Sequence, residues 1–160
     1  MKSIFGRTGS GKTLVMLQLV KEAQDKGSRV IVLTDTVIRE TDRRLKALGG
    51  NIDDTKLQYI PTMLDFPALF KLLLELPEYP NVKTSVFIDH PLDSKFQKVV
   101  DDLVIPLEKH LNMEFCFTKQ LADTNSASVV VTETDGVGTS VAKTLIYDKD
   151  AIKELVSLIY

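Results

Sequence analysis

Short apolar runs rich in β-branched residues alternate along the chain with longer segments of helical periodicity. The short runs predict strands, and the longer segments, with apolar residues three or four positions apart, predict helices. The predicted strands span 2–5, 29–34, 56–60, 84–89, 113–118, 128–133 and 141–147. The predicted helices span 12–26, 37–48, 64–76, 94–111 and 151–160. This alternation predicts an α/β fold: a mostly parallel, twisted sheet with helices on both faces and a C-terminal β-hairpin that turns at 135–138.

Length and composition favour one soluble domain. The chain has 160 residues, of which 44% are hydrophobic and 26% charged, so we expect a single domain over 1–160. No apolar run reaches the roughly 20 residues that a membrane-spanning helix needs. No secretory signal precedes Gly6. We therefore expect a cytoplasmic protein without membrane contact and without a domain ahead of residue 6.

Charge and cysteine content exclude further classes. Lys and Arg number 20 and Asp and Glu 22, which gives a formal net charge of −2. A near-neutral surface argues against binding that coats nucleic acid regardless of sequence, because such binding needs a net basic surface. Cys116 is the single cysteine, so no intrachain disulfide forms, and no cysteine and histidine cluster has zinc-site spacing.

A glycine-rich segment between the first strand and the first helix carries the strongest chemical signal. It matches the phosphate-binding pattern G-x-x-x-x-G-K-[ST] in the strand-to-helix context that this pattern requires. We call this segment the phosphate loop. Its members are Gly6, Arg7, Thr8, Gly9, Ser10, Gly11, Lys12 and Thr13. Backbone amides and the positive end of the helix suit an anion. We expect this segment to bind ATP, with Lys12 at the β- and γ-phosphates and the Thr13 hydroxyl on Mg²⁺.

An acidic residue ends the apolar run Val86–Asp89. Open α/β sheets bind ligands at the carboxyl ends of their strands, so Asp89 is predicted to hold Mg²⁺ through water. The alternative is an ordinary Asp turn after a strand. His90 follows directly, either as a contact to the γ-phosphate or substrate or as a simple loop histidine.

The segment from Leu107 to Leu121 comprises a helix end, a strand and a terminal Thr118-Lys119-Gln120-Leu121, and a pair of strands follows it. With the phosphate loop, this order resembles the RecA-like ATPase core, most closely the C-terminal motor domain of DnaB-type replicative helicases. That resemblance implies that Gln120 senses the γ-phosphate and relays to DNA-binding loops. The alternative is that Gln120 is a polar residue at a strand end.

Two departures from that family pattern concern catalysis. The family's catalytic Glu, which orients the attacking water, aligns with Thr36, and Asp35 lies one residue earlier. Asp35 is either the replacement base or a cap for the helix that begins near Val37. In the same family, a hairpin strand carries a Lys-x-Arg that reaches the γ-phosphate in a neighbouring subunit. In this chain acidic residues, Glu133 and Asp135, occupy both basic positions. The alternative sources of that positive charge are Arg7, Arg39, Arg43, Arg44 or Lys143, and the sequence does not choose among them.

A cluster of basic residues marks the second helix, with Arg39, Arg43 and Lys46 on one face and Arg44 beside them. The cluster would contact nucleic acid or a partner. The other interpretation is a solvated helix face, which the interleaved Glu40 and Asp42 favour.

Three functional hypotheses follow. The first is an ATP-hydrolysing RecA-like core acting in DNA replication, recombination or packaging, in a phage or plasmid setting, as a homo-oligomer or with a partner ATPase. Its predicted catalytic residues are Lys12, Asp35, Asp89 and Gln120. The second is a nucleotide-binding regulatory or partner module with little turnover. A small-molecule kinase ranks last, because the insertion at 136–140 contains no arginine for a phosphate-covering lid.

Overall fold

A computed structural model of the chain describes residues 1–52, 57–61, 66–77, 79, 81–89, 92–120, 128–134 and 141–160. Within these ranges strands and helices alternate as the hydrophobic pattern predicts. The strands are β1 (Lys2–Gly6), β2 (Arg29–Thr34), β3 (Leu57–Pro61), β4 (Thr84–Asp89), β5 (Met113–Gln120), β6 (Val129–Thr134) and β7 (Val141–Tyr147). The helices are α1 (Lys12–Asp25), α2 (Ile38–Ala47), α3 (Phe66–Leu74), α4 (Ser94–His110) and α5 (Lys149–Ile159).

The strands form one sheet in the order β3-β2-β4-β5-β1-β6-β7. Strands β1 to β5 pair in parallel, whereas β6 runs antiparallel to both β1 and β7. The predicted α/β class is therefore confirmed, and the sheet is mixed. Strand β5 lies between β1 and β4, so the carboxyl ends of these three strands meet at one edge.

Two apolar layers cover the two faces of the sheet. Strand β2 alternates between them, with Val30 and Val32 on one face and Ile31 and Leu33 on the other. Helices α1, α2 and α5 supply buried residues to the first layer. Helices α3 and α4 supply them to the second. The prediction of helices on both faces is confirmed.

The start of α2 corrects one interpretation of Asp35. The N-cap of this helix is Val37, and no side chain caps it. The Thr34 hydroxyl instead accepts a hydrogen bond from the backbone N–H of Thr36 at 3.1 Å, which forms a tight turn at the end of β2. Asp35 lies exposed on this turn. The interpretation of Asp35 as a helix cap is therefore wrong.

Two of the element boundaries that differ from the predicted ones bear on the site. Helix α5 begins two residues early, because the Asp148 side chain accepts a hydrogen bond from the Ala151 N–H at 2.9 Å and so caps the helix. Strand β5 continues through Lys119 and Gln120, which pair with Phe5 and Gly6 of β1. The predicted turn at 135–138 lies outside the described residues. In the described ranges, no helix has both the length and the apolar character needed to cross a membrane.

Candidate nucleotide-binding site

The loop between β1 and α1 turns through two glycines with positive φ. Gly9 has φ 77° and Gly11 has φ 102°, a region where other L-residues are strained. The first α-helical hydrogen bond of α1 runs from the Val15 N–H to the Gly11 carbonyl at 3.0 Å. The amides of residues 12–14 therefore precede the hydrogen-bond ladder of the helix. Amides at such a position, with the positive end of the helix dipole, make an anion-binding site.

Gly6 and Ser10 face each other across the base of the loop. A Cβ on Gly6 would collide with Ser10 Oγ, so the Ser10 side chain would have to shift to admit a larger residue. Among the described residues, the buried Ser10 Oγ has no hydrogen-bond partner. A buried hydroxyl without a partner calls for an explanation, such as a ligand, ion or water that it would contact.

Lys12 folds back over the loop. Its Nζ donates hydrogen bonds to the Gly6 carbonyl at 2.8 Å and to the Arg7 carbonyl at 3.0 Å. Burial lowers the pKa of Lys12, and the nearby Asp89 carboxylate opposes that effect. The ammonium group therefore lies on the concave side of the loop, where a bound anion would replace the two carbonyls as its hydrogen-bond acceptor.

Asp89 lies between two hydroxyl groups from different elements. Thr13 Oγ1 donates to its Oδ2 at 2.8 Å, and Thr118 Oγ1 donates to its Oδ1 at 2.8 Å. The two residues predicted to hold Mg²⁺, Thr13 and Asp89, are thus in direct contact. Thr118 was missed as a site residue, although its position two residues before Gln120 was the signal that would have identified it.

Gln120 also touches the loop. Its Nε2 donates a hydrogen bond to Thr8 Oγ1 at 2.7 Å. The contact depends on the pairing of β5 with β1, in which Gln120 lies opposite Gly6. The side chain predicted to sense the γ-phosphate is therefore at the phosphate loop.

The structure describes some of the other predicted residues. Asp35 follows Thr34, which pairs with Asp89 in the sheet, but it is exposed and does not line the cavity at the loop. Arg43 and Arg44 both bind Glu40, so part of the basic cluster is engaged within the chain. His90 and Asp135 lie outside the described residues.

A cavity of about 600 Å³ lies beside the glycine-rich loop. Its wall contains the phosphate loop, Asp89, Thr118 and Gln120, together with Arg44 of α2. Helix α5 forms another side of the cavity, a contribution that the sequence did not predict. The arrangement combines anion-binding amides, one lysine and a pair of hard oxygen ligands, the donor set that suits phosphate with Mg²⁺.

No family model matches the chain, and no curated protein matches it either. The interpretation of the site therefore depends on its residues and their geometry.

Proposed function

We propose that this protein is a Mg·ATP-binding and ATP-hydrolysing core of the RecA and DnaB class that acts in DNA replication, recombination or packaging. The observation that carries the proposal is the hydrogen bond of 2.8 Å between Thr13 and Asp89, at the mouth of a glycine-rich loop. A chance glycine turn would not need an acidic strand end 76 residues away in contact with its last residue.

The chain's own groups divide the work. The amides at the start of α1 and the ammonium group of Lys12 bind the phosphates, and Lys12 gives up its two carbonyl contacts as it does so. Thr13 would supply an oxygen ligand for Mg²⁺, and Asp89 would hold the ion through water. The bound ion would neutralise charge that develops on the β- and γ-phosphates. Gln120 reads the terminal phosphate from the end of β5.

The DNA-related part of the proposal depends on assembly. The net charge of −2 and the internal pairing of Arg43 and Arg44 with Glu40 favour local contacts with DNA over a broad basic surface. We propose that these contacts form in a homo-oligomer or with a partner ATPase, in a phage or plasmid setting.

The test compares the parent protein with Lys12→Ala. We expect the variant to bind Mg·ATP about tenfold or more weakly, because a charge-assisted contact is worth about 1.5–3 kcal/mol. Lys26→Ala removes the same charge just after the other end of α1 and should bind like the parent. Calorimetry gives the affinity, and phosphate release gives turnover with and without single- and double-stranded DNA. A Lys12→Ala protein that binds and hydrolyses ATP like the parent would refute the proposal.

The end of β2 favours a second candidate, a nucleotide-binding regulatory module with little turnover. Thr36 occupies the position of the expected catalytic Glu, and its N–H is bound to Thr34 Oγ1. Asp35 is exposed and does not line the cavity beside the loop.

Two variants separate the candidates. If Asp35 orients the attacking water, Asp35→Asn should lose most of the turnover while binding ATP normally. If the chain has no such base, Asp35→Asn should change nothing, and Thr36→Glu should raise turnover by restoring a long carboxylate. Parent turnover well above background and stimulated by DNA or self-assembly would exclude the regulatory module.

A further inference from the structure

Helix α5 and its C-cap residue present three side chains, spaced four residues apart, beside the phosphate loop. They are Ile152, Val156 and Tyr160, which share one helical face. All three line the cavity of about 600 Å³ that holds Lys12, Thr13 and Asp89. The same three line a second cavity of about 620 Å³ on the Arg7 side of the loop. We call these three residues the α5 strip.

The strip is held in place at both ends. At the loop end, a Cβ built on Gly11 would lie 3.0 Å from Ile152 Cγ2, so α5 packs directly against the start of α1. At the other end, Arg43 Nη1 donates a hydrogen bond to the Ile159 carbonyl at 2.8 Å. The Arg43 guanidinium also lies 5.3 Å from the centre of the Tyr160 ring. The strip is therefore a preformed part of the cavity wall.

The strip is apolar and largely open. Tyr160 is 80% exposed and Val156 37% exposed, next to a loop built for a polar anion. Exposed apolar groups beside a polar site fit a ligand with one charged end and one flat, weakly polar end. A nucleotide has both. The cavity volume also lies within the range of about 300–1,000 Å³ common for small-molecule sites.

We propose that the α5 strip is the nucleobase platform of this site. The base stacks on the face of the Tyr160 ring opposite Arg43, and Val156 and Ile152 contact the base and ribose. This proposal rests on the proposed function, because the loop must hold the phosphates for the base to reach α5. Stacking on one aromatic ring accepts every base, so the platform supplies affinity more than discrimination among bases.

The experiment compares Mg·ATP with inorganic tripolyphosphate, which carries phosphates and no base. Calorimetry measures both affinities for the parent and for Tyr160→Ala, Tyr160→Phe and Leu158→Ala. Leu158 is the matched control, because it is 58% exposed on α5 and lines neither cavity. We expect Tyr160→Ala to weaken ATP binding about tenfold, the scale of one lost base–aromatic stack. Tripolyphosphate binding should change less than about twofold, and Tyr160→Phe and Leu158→Ala should bind both ligands like the parent.

The outcomes separate this inference from the proposed function. If the parent binds tripolyphosphate and ATP equally well, the platform is wrong and the phosphate site stands. If Tyr160→Ala weakens both ligands equally, or ATP no more than Leu158→Ala does, the platform is also wrong. If the parent binds neither ligand, both proposals fail. The solution mass of the same proteins tests whether a second copy of the chain covers the strip instead. If the parent is a dimer, and Tyr160→Ala is a monomer with unchanged ATP affinity, the strip is a dimer contact and the platform is wrong.

Discussion

Gly11→Ala tests whether α5 rests directly on the phosphate loop. Gly11 has φ 102°, and a left-handed backbone costs an L-residue about 1–2 kcal/mol. The new Cβ would also lie 3.0 Å from Ile152 Cγ2, closer than ordinary van der Waals contact. Overpacking costs about 1–3 kcal/mol, and we take the lower end, about 1 kcal/mol, because α5 lies at the surface. We therefore expect Gly11→Ala to lower the free energy of unfolding by about 2–3 kcal/mol.

Gly27→Ala is the matched control for backbone strain. Gly27 has φ 81°, and a Cβ there would meet no heavy atom within 4 Å. Its substitution should cost only the backbone share, about 1–2 kcal/mol. The difference between the two alanine variants is then the contact between the loop and α5.

Urea unfolding followed by circular dichroism measures both costs, provided that the slope with urea stays constant. The double variant Gly11→Ala with Ile152→Ala removes the clash and keeps the strain. Gly11→Ala should therefore cost about 1 kcal/mol less in the Ile152→Ala background than in the parent. Equal losses for Gly11→Ala and Gly27→Ala, or no coupling with Ile152→Ala, would refute the reasoning.

Three further predictions concern single groups. Thr118→Val removes a hydroxyl donor to Asp89 and should lower the free energy of unfolding, measured with urea, by about 1 kcal/mol. Thr118→Ser keeps the hydroxyl and should retain most of that stabilisation. The hydrogen bond from Arg43, with a second from Arg44, lowers the pKa of Glu40 to about 2 from 4.5. The ionised Glu40 therefore stabilises the fold above pH 4.5, and this stabilisation is lost as the pH falls toward 2. Urea midpoints between these pH values should fall more steeply for the parent than for Glu40→Gln. Burial raises the pKa of Cys116 to about 12, so iodoacetamide should label it only in unfolded protein, as mass spectrometry would show.

The elements were predictable because their causes are local. Strand β2 reads as an apolar run, since helices cover both of its faces. The end of α1 just before Gly27 follows from a glycine with φ 81°, whose N–H bonds to the Gln24 carbonyl at 2.9 Å. The early start of α5 was missed although its cap, Asp148, is equally local. The extension of β5 was missed because it depends on pairing with β1, more than 100 residues earlier in the chain.

The candidate site was predictable only in part, for a related reason. A phosphate loop is one continuous segment, so Lys12 and Thr13 are recognised from the pattern itself. The contribution of α5 comes from tertiary packing against Gly11, and no spacing in the chain announces it. The basic cluster on α2 shows the opposite case. Its charges left both a nucleic-acid or partner contact and a solvated face open, and the structure shows Arg43 bonded to the last turn of α5 and to Glu40.

The position of β5 in the sheet joins the two halves of the site. Thr118 and Gln120 are two residues apart, so they lie on the same face of the strand. Thr118 contacts Asp89 at the end of one neighbouring strand, and Gln120 contacts Thr8 in the loop that follows the other. Between them, Lys119 forms an ion pair of 2.8 Å with Asp101 of α4. One strand, tied to α4 by this ion pair, thus contacts both Asp89 and the glycine-rich loop.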